Sequence, residues 1–115
     1  MLSDAGIACH VHRLASISTT LKLRVLSVHQ QLLRLDFEEG TPQLTLEQLK
    51  LDFERRVESA DIIIFSDYGK GCLQNMATWI GLARQANKPI FVDPKHSDLN
   101  VYQGATVLTP NRREF

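Results

Sequence analysis

The spacing of apolar positions changes twice along the chain, and each change predicts a different kind of element. Leu21, Leu23, Val25 and Ser27 alternate with Lys22, Arg24 and Leu26, and after Val28-His29-Gln30 the run from Gln31 to Phe37 again mixes apolar with polar residues. A period of two puts successive side chains on opposite faces of an extended backbone, so this stretch predicts paired strands with one solvated face. A looser alternation from Gly6 to His12 predicts a further short strand. Glu38-Glu39-Gly40-Thr41-Pro42 reads as a turn, and Thr45 with Gln48 three residues on has the spacing of a capping box that opens a helix. Leu46, Leu49, Phe53 and Val57 then share one helical face, while Lys50 with Glu54 and Asp52 with Arg56 form i,i+4 pairs on the others.

From Ala60 the period disappears. Asp61-Ile62-Ile63-Ile64-Phe65-Ser66 is a continuous β-branched and aromatic run, too short for a buried helix, and predicts a strand buried on both faces as in a parallel sheet. The turn Tyr68-Gly69-Lys70-Gly71 leads into a helical pattern with Leu73, Met76, Ala77, Ile80 and Ala83 inward, stopped near Asn87 and Pro89. Ile90-Phe91-Val92 predicts a second buried strand, and Ala105-Thr106-Val107-Leu108 a third beyond a connector through Asn100 and Tyr102. Strands separated by crossover segments predict an α/β fold with a right-handed open parallel sheet and flanking helices. The expected organisation is a β-rich segment over residues 1–40 and an α/β core segment over 41–115.

Composition narrows the classes of function. With 43% hydrophobic and 23% charged residues in 115, the chain can bury an adequate core without disulfide or metal staples. Thirteen Lys and Arg balance thirteen Asp and Glu, which gives no electrostatic footprint for nucleic acid or an anionic membrane. Ser3, Asp4 and His10 occupy the region where a signal peptide would be apolar, and Cys9 and Cys72 make neither a disulfide framework nor a zinc set. The cytoplasm is the expected compartment. Met1 leads directly into an apolar segment and Phe115 closely follows a strand, as in a piece of a larger protein. His10 and His12 share an extended face but fall short of a metal ligand set, while Trp79 and Tyr102 read as packing residues.

The chemistry belongs at the strand exits. In open α/β sheets ligands bind beyond the carboxyl ends of the strands, where loops converge and backbone N–H groups point into one crevice. Here the exits are Ser66-Asp67-Tyr68-Gly69-Lys70-Gly71, Asp93-Pro94-Lys95-His96 and Thr109-Pro110-Asn111, with Glu114 three residues later. Lys70 between two glycines suits an anion contact or an exposed turn equally. Asp67 and Asp93 suit orientation of nearby groups, water-mediated metal binding or a cap. Lys22 and Arg24, two apart on one extended face, suit a phosphate or a solvated strand face.

The strings TLKLRVLSVHQQLLRLDFEE (Thr20 to Glu39), SDYGKG (Ser66 to Gly71), VDPK (Val92 to Lys95) and LTPNRREF (Leu108 to Phe115) resemble the ribokinase-like (PfkB) sugar kinases. More closely they resemble the kinase portion of the bifunctional bacterial heptose-7-phosphate kinase and heptose-1-phosphate adenylyltransferase, which serves ADP-heptose synthesis for lipopolysaccharide. The resemblance runs over nearly the whole chain. It implies ATP and Mg²⁺ as cofactors, D-glycero-D-manno-heptose 7-phosphate as substrate, and transfer of the γ-phosphate to O1. It assigns Asn111 and Glu114 to the family's Asn-x-x-Glu element, with Glu114 at the metal through its waters, and Asp93 and Lys95 to the nucleotide side. Lys22, Arg24, Asp67 and Lys70 fall on the sugar-phosphate side. The strands before the core correspond to a lid over the sugar that also supports a homodimer.

The family's upstream Gly-Gly and Asn sugar element is absent from this chain, as is its downstream Gly-Ala-Gly-Asp element with the anion-hole amides and the general base. The chain therefore carries no catalytic residue of its own and is expected to be inactive alone, since phosphoryl transfer needs both positioning and charge stabilisation. Three further readings stay open: a non-catalytic sugar-phosphate or nucleotide binding module, an interaction element with no ligand built on the exposed strands, and another ribokinase-like sugar kinase.

Overall fold

In the computed structural model, which describes residues 3–111, contacts within the chain separate two units, Met1–Gly40 and Thr41–Phe115. In the first, β1 (Leu21–Ser27) and β2 (Gln30–Phe37) pair antiparallel, with Leu21 opposite Phe37, Leu23 opposite Leu35 and Val25 opposite Leu33. The period of two puts these apolar residues on one face of the hairpin. Both strands are exposed throughout, so this face has no cover among the described residues of its own unit. Lys22, Arg24, Arg34 and Asp36 occupy the opposite face. The predicted strand from Gly6 to His12 does not form; among the described residues only a 3₁₀ turn, Ser3–Ala5, precedes β1. Its alternation was imperfect, and no described strand pairs with it.

The second unit contains α1 (Gln43–Val57), β3 (Ile63–Ser66), α2 (Met76–Gln85), β4 (Ile90–Asp93) and β5 (Val107–Leu108). The three strands form a parallel sheet in the order β3-β4-β5, with Ile63 beside Ile90, Ser66 beside Asp93 and Val92 beside Leu108. Backbone bonds extend the ladder past the strand ends, from Asp67 N–H to the Asp93 carbonyl (2.9 Å) and from Thr109 N–H to the Val92 carbonyl (3.0 Å). At the opposite end, Ile90 N–H donates to Thr106 Oγ1 at 2.9 Å.

Val57, Ile63, Phe65, Met76, Trp79, Ile80, Ala83, Ile90, Val92 and Tyr102 make the core. Phe53 of α1 joins it to the aromatic rings, 5.9 Å from Phe65 and edge-on to Trp79 at 5.4 Å. Burying each large apolar side chain here contributes roughly 1.5–3 kcal/mol. Trp79 Nε1 donates to the Cys72 carbonyl at 3.0 Å, which satisfies the polar end of an otherwise apolar ring.

Three expectations need correction. β3 is not buried on both faces, because Ile63 and Phe65 point into the core while Ile62 and Ile64 are 51% and 74% exposed. The helices cover one face of β3, and no described element covers the other. Thr45 is not the cap of α1 either. The helix begins two residues earlier, with extended Pro42 at the cap position and its carbonyl accepting from Thr45 N–H and Leu46 N–H. Thr45 is consequently buried inside the first turn. In α2, Trp79 takes the inward place assigned to Ala77, which is exposed.

Candidate functional site

Parallel register brings the three exits to the same edge of the sheet: Asp67 follows β3, Asp93 ends β4, and Thr109-Pro110-Asn111 follows β5. At this edge Asp67 is buried, with its side chain fully enclosed. Its Oδ1 accepts from Gly69 N–H at 2.7 Å, and its Oδ2 accepts from the Tyr102 hydroxyl at 2.6 Å. The first bond turns the β3 exit back on itself. The second ties it to the 3₁₀ segment Leu99–Tyr102 that precedes β5.

The Tyr102 hydroxyl also accepts from the backbone N–H groups of Lys95 and His96, at 2.9 and 3.0 Å. Burial, reinforced by the hydrogen bond to Asp67, raises the phenol's pKa above 10.0, and the two backbone donors partly oppose this. His96 Nε2 lies 3.9 Å from Asp67 Oδ2.

Lys70 stands between Gly69 and Gly71, both at φ +70°, a left-handed conformation that other residues adopt at a cost. The absence of a side chain at Gly69 also permits close approach: a Cβ there would stand 3.4 Å from Lys95 Cγ. The β3 and β4 exits thus touch at Gly69 and Lys95, and each carries a lysine. Asp93 and Asn111 are exposed at the same edge, and Thr109 Oγ1 donates to the Val92 carbonyl at 3.3 Å. Glu114 lies outside the described residues. Lys22 and Arg24 belong to the hairpin unit, where Lys22 Nζ lies 3.7 Å from Asp36 and 3.2 Å from Glu38. Arg24 stands across from Arg34, whose guanidinium is 3.0 Å from Asp36.

The two lysines, the glycine-flanked loop and Asp93 suit phosphate oxygens with a hydrated divalent cation. Among the described residues no group of three or more His, Cys, Asp or Glu could enclose a metal. Mg²⁺ bound through phosphate oxygens and several waters needs only one or two carboxylates, and Asp93 offers one. A cavity of about 290 Å³ lies elsewhere, between the N-terminal ends of α1 and α2, lined in part by Glu47, Lys50, Asn75 and Trp79. It shares none of these edge residues. Tyr102, read from the sequence as a packing residue, is buried as that reading expects but also bonds to both exits, and His96 stood only as the last residue of the β4 exit; no sequence signal pairs either with Asp67. Among the described residues no helix is long and apolar enough to cross a membrane.

The pfkB family carbohydrate kinase profile matches residues 1–115. The chain is 48% identical over 115 residues to the bifunctional protein HldE of Marinomonas sp. (strain MWYL1), covering 99% of this chain and 24% of that protein. It is 43% identical over 115 residues to HldE of Alkalilimnicola ehrlichii and 45% to that of Pasteurella multocida, in each case covering 100% of the chain and 24% of the relative. The chain thus spans about a quarter of the length of these curated relatives.

Proposed function

This chain belongs to the pfkB family of carbohydrate kinases, and we propose that it is the central segment of one that transfers the γ-phosphate of ATP to O1 of D-glycero-D-manno-heptose 7-phosphate. The observation that carries this reading is the meeting of two lysine-bearing strand exits, at Gly69 and Lys95, on the edge that also presents Asp93 and Asn111. In phosphoryl transfer the protein's work is positioning and charge stabilisation. Lys70 and Lys95 supply compact cations for phosphate oxygens, while Gly69 and Gly71 allow the backbone to come close. Asp93 and Glu114 orient water around the metal, and Asn111 orients the phosphates. Asp67 maintains the loop that carries Lys70. Lys22 and Arg24 hold the sugar's 7-phosphate, with Arg24 and Arg34 facing each other across the hairpin as paired cations. Mg²⁺, when bound, neutralises charge on the transferring group. The product would serve ADP-heptose synthesis, and the hairpin's apolar face pairs with a second copy.

The test is phosphorus NMR of the full-length protein supplied with ATP, Mg²⁺ and heptose 7-phosphate. A new anomeric phosphate appearing with stoichiometric ADP supports the reading. Binding of either ligand without turnover would replace it with the non-catalytic module, and turnover only with another sugar would replace the substrate. In the same protein, Glu114→Gln keeps the side chain's size but removes its charge, so the Mg²⁺ concentration for half-maximal rate should rise several-fold while sugar binding changes little. An unchanged Mg²⁺ requirement would remove Glu114 from the metal.

A further inference from the structure

We propose that Tyr102 is a positioning residue for phosphoryl transfer: its hydroxyl fixes the β4 exit against the β3 exit and so sets the phosphate donor's side of the site relative to the acceptor's. This rests on the proposed kinase reading, but Tyr102 itself touches neither ligand in that reading and belongs to no motif that carries it. The geometry is specific. One phenol oxygen donates to Asp67, which follows β3, and accepts from the adjacent N–H groups of Lys95 and His96, which follow β4. Asp67 in turn holds Gly69 N–H, and Gly69 is the residue against which the Lys95 side chain rests. The chain of contacts Lys95, Tyr102, Asp67, Gly69 and back to Lys95 is therefore closed, with Lys70 attached next to Gly69.

Burial gives this loop its stiffness. Tyr102 is 2% exposed and the Asp67 side chain is wholly enclosed, so neither can exchange its partner for water without local opening. Phenylalanine at 102 would keep the ring's packing and remove only the hydroxyl. Asp67 Oδ2 would then lose its short donor, two adjacent backbone N–H groups would lose their acceptor, and the exits would no longer share an atom. Each ligand would still meet its own loop. What would suffer is the alignment between them, and a displacement of about 1 Å at a reacting centre can cost on the order of a hundred-fold in rate.

The experiment compares Tyr102→Phe with Thr106→Val in the full-length protein. Thr106→Val deletes the acceptor for Ile90 N–H at the opposite end of the same sheet, so it costs a backbone hydrogen bond without touching either exit. Steady-state kinetics with ATP and heptose 7-phosphate should show kcat reduced roughly 10- to 100-fold in Tyr102→Phe, with both KM values within about three-fold of wild type. Thr106→Val should lower thermal stability while keeping kcat within about two-fold. A Tyr102→Phe kcat within two-fold of wild type would overturn the proposal, as would an equal loss in Thr106→Val. Amide hydrogen exchange at Lys95 and His96 keeps the outcome separate from that of the kinase reading. If the wild-type protein turns over no sugar, faster exchange at these amides in Tyr102→Phe but not in Thr106→Val still supports the positioning role, and unchanged exchange overturns it.

Discussion

At Tyr102 a single hydroxyl makes three hydrogen bonds, and this concentration has a consequence for pH. A phenol pKa raised on folding means that the folded state holds the proton more tightly than the unfolded chain does. Its contribution to stability is complete below the ordinary value of 10.0 and is lost as pH rises through the folded value. In the 115-residue chain carrying Tyr68→Phe, Tyr102 is the remaining tyrosine, and the midpoint of its ultraviolet ionisation should lie above 10.0 and coincide with loss of the folded state. A midpoint at or below that value, without unfolding, would contradict the buried hydrogen-bonded geometry. Asp67, Lys70, Asp93, Lys95 and Asn111 were legible in the sequence because polar residues follow apolar runs at each strand exit. The packing of Tyr102 was legible too, but its hydrogen bonds were not, because one aromatic residue in a connector has no period and its partner Asp67 lies 35 positions away.

Among elements, the three core strands were readable from their uninterrupted apolar runs, and their order follows from the crossover segments between them. The exposure of Ile62 and Ile64 was not readable, since a continuous run specifies apolar character on both faces but cannot say which face has a cover. The hairpin's pairing was likewise clear from alternation, whereas its turn was not. Val28 has φ +40° and is 91% exposed, so a β-branched residue occupies a left-handed position with no packing to offset the strain. Such strain costs roughly 1–3 kcal/mol, against about 0.5–1 kcal/mol for the added freedom of glycine. Val28→Gly should therefore stabilise the hairpin by about 1 kcal/mol and slow amide exchange in β1 and β2. Faster exchange would count against this turn. The proposed pairing of the apolar face makes a second demand. Leu23→Lys places a charge in the middle of that face and should shift the full-length protein toward monomer in sedimentation; an unchanged association state would exclude this face from the contact.

For the molecule as a whole, the family was legible because several motifs stand in order along the chain, and the profile match over residues 1–115 bears it out. The sheet then supplies the physical reason for those motifs: parallel register delivers three separate sequence segments to one edge. Periodicity could show that the exits are polar, but not that Gly69 and Lys95 would meet, because that contact depends on the tertiary course of both loops. The most direct test of the central claim, that this edge holds the transferring phosphate, is the kcat/KM for ATP of Lys95→Met in the full-length protein. Lys95 is exposed, so the fold should tolerate the change, and loss of a cation beside developing phosphate charge should lower kcat/KM by on the order of a hundred-fold at unchanged melting temperature. A value within two-fold of wild type would contradict the account.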